Sequence, residues 1–176
     1  RPITKGPAYT GSTGLRERLR VGIHDGLMRR HVARASRLCD RVFCLNPDLI
    51  PFVPDAEFVP YASIDWRDIP VPAEGRRDRL RIVHAPSDTD IKGTAFVTRA
   101  REILGDERFE WRIVQGVDTA TVGRELDEAD LVLDQFRIGW YGALAVEAMA
   151  RGVPTLCWLD PVDTARLPTV FTDAIP

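Results

Sequence analysis

Lysine is nearly absent from this chain. Of its 24 strong bases only Lys5 and Lys92 are lysines, and every other one is arginine. Cysteine is scarce too: Cys39, Cys44 and Cys157 cannot pair completely, so no disulfide framework is expected. Cys44 and Cys157 sit in apolar runs and Cys39 at a helix end, and all three read as small core residues of a reducing, cytoplasmic compartment. Cys39 and Cys44 lack the partners that a zinc site needs. No run of about 18 apolar residues exists to span a membrane. No internal repeat, low-complexity tract or signal peptide is visible. Arg1 stands where a Met would start a chain, so a piece of a longer protein is expected.

What is present is ordinary for a globular domain: 176 residues, 44% hydrophobic and 28% charged. The net charge of −2 conceals an asymmetry. Residues 1–41 hold 10 Arg/Lys and 3 Asp/Glu, whereas residues 42–176 hold 14 and 23. The basic excess lies on a helical pattern over 15–38, with Leu15, Leu19, Ile23, Leu27, Val32 and Leu38 as a broken apolar stripe. Gly22 and Gly26 are expected to divide it into two helices. Its first reading is a solvated helix covering a sheet. Its second is a basic face that rests on anionic lipid at a membrane periphery or binds an anionic acceptor.

Further along, strand patterns cover Arg41–Leu45 and Glu57–Pro60, and a Pro-, Asp- and Ala-rich stretch from Tyr61 to Gly75 reads as a linker. From residue 80, strands and helices alternate. Strands are expected at Leu80–Ala85, Glu110–Val114, Ala129–Asp134 and Pro154–Trp158. Helices are expected from Lys92 to about Leu104, from a Thr119 or Thr121 cap to about Glu128, and through the Ala-rich run before Gly152 and Pro154. Another strand is expected near the C-terminus. This alternation predicts an α/β fold, a Rossmann-like parallel sheet with helices on both faces. Ligands of such sheets bind beyond the carboxyl ends of the strands.

The most informative stretch is Gly139-Trp140-Tyr141-Gly142 followed by Ala143-Leu144-Ala145-Val146-Glu147-Ala148-Met149-Ala150-Arg151-Gly152-Val153-Pro154. A glycine loop here opens a helix between two strands. Backbone N–H groups at the positive end of such a helix can hold a phosphate. Lys92-Gly93 is the second candidate, because an ammonium is a compact charge suited to a diphosphate. The bland alternative is a lysine facing solvent.

These residues carry a resemblance. A Gly-aromatic-Gly loop followed by Glu-Ala-Met-Ala-x-Gly-x-Pro is similar to the donor-site signature of retaining glycosyltransferases of the GT-B fold, the group 1 or family 4-like enzymes. The resemblance implies that residues 1–60 are the tail of an N-terminal Rossmann-like domain, 61–79 a linker, and 80–176 a donor-binding domain. It implies sugar transfer from a nucleotide-diphosphate donor to an acceptor hydroxyl, without a metal or cofactor and without a nucleic-acid partner. Lys92 and Arg137 would stabilise the leaving diphosphate. Ser87, Gly93, Gly116, Tyr141, Gly142, Ala143 and Leu144 would line the donor site, and Glu147 would hold the ribose hydroxyls.

Two positions depart from that pattern. Gly139 stands where the family carries a second Glu, so sugar contacts are expected from Asp134 or Gln135. Ser87 stands where an Arg is usual, and Arg137 is the candidate to replace its charge. Other readings are a sugar-nucleotide epimerase of the same fold, a non-catalytic domain with a degenerate donor site, and a flavodoxin-like response module. The last needs an acidic cluster after the first strand, which His84-Ala85-Pro86-Ser87 does not supply.

Overall fold

The computed structural model describes residues 15–61, 64–69 and 78–172. The chain divides into two compact units, Arg1–Pro60 with Pro161–Pro176, and Tyr61–Asp160. The expected linker at 61–79 lies mostly outside the described residues.

In the first unit, helix α1 runs unbroken from Leu15 to Leu38. The expected break at Gly22 and Gly26 does not occur. A helix tolerates an internal glycine at about 1 kcal/mol each. Most residues from Gly26 to Leu38 are exposed, and Arg29 lies over the Phe52 ring at 4.3 Å. Strand β1 (Phe43–Cys44) pairs in parallel with β2 (Glu57–Phe58) across a 3-10 turn at Pro47–Phe52.

The second unit holds the larger sheet, and its helices lie on both faces. Strand β3 (Leu80–His84) leads to a single helical turn, α2 (Thr89–Lys92), and then to α3 (Thr94–Leu104). Strand β4 (Phe109–Ile113), helix α4 (Thr119–Asp127), strand β5 (Leu131–Leu133), helix α5 (Ala143–Ala150) and strand β6 (Thr155–Leu156) follow. All four strands run parallel, in the order β4-β3-β5-β6. Successive strand residues face opposite sides. Val83 and Val132 therefore pack with Leu126, Leu144, Ala148 and Val153 under α4 and α5, while Ile82 and Leu133 pack with Val97 of α3. The α3 face is only partly covered. A cavity of about 280 Å³ opens there, with Phe96, Leu104, Trp111 and Leu156 among its lining.

The chain order explains where a site belongs. From β3 the next strand is laid on one side, and the one after that on the other. The crevice between the diverging loops of β3 and β5 is the switch point at which such sheets bind ligands.

Past this sheet, α6 (Pro161–Thr164) and α7 (Thr169–Thr172) belong to the first unit, where Phe171 meets Phe58 edge-on at 5.2 Å. A helix stands where a last strand was expected. The α4 cap is Asp118, which accepts the Thr121 N–H, rather than either threonine. Among the described residues no helix is long and apolar enough to cross a membrane.

Candidate functional site

The loops after β3 and β5 meet at a buried ion pair. Lys92 Nζ donates to Asp134 Oδ1 at 2.7 Å, and Asp134 is fully buried. The second Asp134 oxygen accepts the Gly142 N–H at the mouth of α5. The Lys92 carbonyl accepts the Phe136 N–H at 3.1 Å, so backbone as well as side chain joins the two loops.

Glycines let these parts approach one another. Gly93 ends α2 and begins α3 with φ +73, a left-handed conformation that a side chain would strain. At Gly142 a Cβ would lie 2.8 Å from Lys92 Nζ and 3.2 Å from Asp134. A Cβ at this position would push the Lys92 ammonium away from the helix mouth.

That mouth carries unused donors. Gly142 provides no side-chain cap, and its own N–H is taken by Asp134. The Ala143 and Leu144 N–H groups meet no acceptor among the described residues. Aligned peptide dipoles give this end of α5 a partial positive charge.

Arg137 lies beside the pair. Its side chain passes next to Gly93, and its guanidinium rests over the Phe96 ring at 5.5 Å. The Arg137 Nε is buried without a hydrogen-bond partner, and no carboxylate among the described residues pairs with the side chain. A desolvated, unpartnered guanidinium donor is costly unless an acceptor comes to it.

Behind the pair sits His84, only 1% exposed. Its Nδ1–H donates to the Leu133 carbonyl at 2.7 Å, which leaves Nε2 to accept the Thr94 hydroxyl at 2.9 Å. Burial lowers its pKa, against opposing pulls from the Leu133 carbonyl and Asp134, so the ring is neutral. It ties the end of β3 to β5 and to the start of α3. Cys157 follows β6, and burial, then Asp134, pushes its thiol up to about 11 against the pull of Lys92. Tyr141 stacks on buried Trp140 at 4.6 Å, and burial raises its hydroxyl pKa.

Lys92, Gly93, Arg137, Gly142, Ala143 and Leu144 thus share one neighbourhood. Glu147 lies on α5 one turn beyond Ala143, half-buried, and its carboxylate has no partner among the described residues. No contact joins it to Lys92. Ser87 is exposed at the start of the β3 loop. Gly116 is exposed past the end of β4, with φ +66, and a Cβ there would meet nothing within 4 Å.

Asp134 and Gln135 were the expected sugar contacts. Both are buried and committed within the protein, Asp134 as above and Gln135 by donating to the Trp140 carbonyl. Gly139 has φ +81, and a Cβ there would lie 2.7 Å from Asp160 Cβ and 3.2 Å from Trp158. No larger residue fits without shifting that loop.

Sequence reasoning placed His84 only at a strand end and missed its bonds to Leu133 and Thr94. It also passed over one motif. Asp88-Thr89-Asp90 is an Asp-x-Asp run; there Asp88 caps α2 by accepting the Ile91 N–H at 2.8 Å. Among the described residues no group of three or more His, Cys, Asp or Glu side chains is placed to hold a metal ion. No protein-family model matches the chain, and no curated protein matches it.

Proposed function

We propose that the second unit binds the diphosphate of a nucleotide-sugar donor, as the donor-binding part of a glycosyltransferase of the GT-B fold. The observation that carries this reading is the meeting of Lys92 and Asp134 with the mouth of α5 at the β3/β5 switch point, where the Ala143 and Leu144 amides meet no acceptor among the described residues and the Arg137 side chain passes next to Gly93. One phosphate suits the helix mouth, as anions suit any helix N-terminus. The second lies towards Arg137, whose planar fork matches a phosphate. Glu147, half-buried on the same helix, is the acid for the ribose hydroxyls, because a carboxylate accepts two at once.

In transfer, negative charge grows on the leaving diphosphate. Arg137, Lys92 and the helix amides oppose that charge where it develops, which lowers the barrier. The acceptor hydroxyl is that of a glycan, polysaccharide or lipid-linked sugar.

A second reading is favoured by a specific observation. The position where the family carries its sugar-contacting Glu is here closed by Asp160 and Trp158. A domain that binds nucleotide without transferring sugar fits that closure.

Calorimetric titration with UDP, GDP and ADP, beside an assay of sugar transfer, tests both readings. At least one diphosphate is expected to bind, and Arg137→Ala to weaken it about 10- to 100-fold, the worth of a charge-assisted hydrogen bond. If none of the three binds, both readings fail. Binding without transfer by this chain fits both readings, since the first gives it only the donor site; in a longer protein that also carries the acceptor-binding part, binding without transfer selects the second.

A further inference from the structure

Asp134 occupies the middle of the cluster, yet phosphate binding has no use for an acid there. Its two oxygens take an ammonium N–H of Lys92 and the Gly142 amide, both of which a phosphate oxygen would seek. The carboxylate is 0% exposed, held at both oxygens and unable to swing into solvent. We propose that Asp134 is a built-in counter-anion that sets the charge of the phosphate site, and so limits its affinity for phosphate; this rests on reading the site as one for a nucleotide diphosphate.

The consequence is a division of labour between two cations. Lys92 has three N–H donors and spends one on Asp134. It offers a ligand its remaining hydrogen bonds, while its charge is cancelled at 2.7 Å. Net positive charge then comes from Arg137 and the dipole of α5. Asp134 fixes the ammonium in place, and in return its own charge repels the incoming phosphate. A ligand of low charge is favoured over a highly charged one, which suits the esterified diphosphate of a sugar nucleotide.

Inorganic pyrophosphate is the direct probe, titrated calorimetrically into the wild type, Asp134→Asn, Lys92→Gln, the Lys92→Gln/Asp134→Asn pair and Arg137→Ala. Circular dichroism melts report whether each variant folds. Asp134→Asn is expected to bind pyrophosphate at least about tenfold more tightly than wild type, because a negative charge beside the phosphate has gone. Should that variant not fold, the Lys92→Gln background decides, since Gln keeps a donor towards Asp134. There too, adding Asp134→Asn is expected to tighten binding about tenfold. Equal or weaker binding on removing the acid overturns the counter-anion, and leaves the site itself standing if Arg137→Ala still weakens the wild type. Absence of pyrophosphate binding in both wild type and Asp134→Asn overturns the site and the counter-anion together.

Discussion

The two loops that meet at the candidate site are built differently. In the loop after β3, Ser87, Asp88, Thr89 and Asp90 are all exposed, and one capping bond from Asp88 shapes the turn. In the loop after β5, Asp134, Gln135, Gly139, Trp140 and Gly142 are all buried. Several polar groups there are satisfied inside: Gln135 by the Trp140 carbonyl, Asp134 by Lys92 and Gly142, and the Gly139 carbonyl by Asp160 N–H at 2.9 Å. The β5 loop is therefore a packed platform. The β3 loop is an arm that delivers one ammonium to it.

The largest expected effect falls on the joint between them. Asp134→Ala leaves the Lys92 ammonium buried without its partner and the Gly142 amide without an acceptor, and should cost about 3–5 kcal/mol of stability. A chemical denaturation midpoint within error of wild type would show that the pair does not hold the loops. Next, Gly139→Ala puts a Cβ 2.7 Å from that of Asp160 at a positive φ. About 1–3 kcal/mol is expected, read from the same denaturation curves.

The platform should also respond to pH through His84. Its folded-state pKa lies below its unfolded value, so the unfolded chain binds the proton first as pH falls. The stability from neutral His84 is complete above about 6.5, the unfolded value, and declines below it, by at most about 1.4 kcal/mol per pH unit. Comparing wild type with His84→Asn at pH 7 and pH 5 checks this. The wild type should lose more stability on acidification, and an equal loss refutes it. At the small end, Ser87→Ala on the exposed arm should change stability by no more than about 0.5 kcal/mol. A larger change would mean that the arm is packed after all.

The same contrast governs what the sequence could reveal. Strands β3 to β6 were legible because β-branched and apolar runs lie between charges and turn residues, and α5 because Ala and Leu favour helix. Lys92 stood out as one of two lysines among so many arginines. Asp134 stood out only as a sugar contact, not as the buried partner of Lys92. An acid after a strand looks like any turn acid, and its burial depends on a partner 42 residues away. The closure at Gly139 was hidden likewise, since Asp160 meets it only in three dimensions. For α1, local propensity suggested a break that the helix did not need, as each internal glycine costs less than the surrounding hydrogen bonds sustain. Local chemistry was readable; long-range burial was not.

The central claim is that phosphate binds where the two loops meet. Amide chemical shifts of the protein, followed by nuclear magnetic resonance during a pyrophosphate titration, test it most directly. Gly93, Ala143 and Leu144 are expected to move together along one saturable curve, while Gly116 stays still. Saturable shifts confined to other parts of the chain, or none at any concentration, would contradict it.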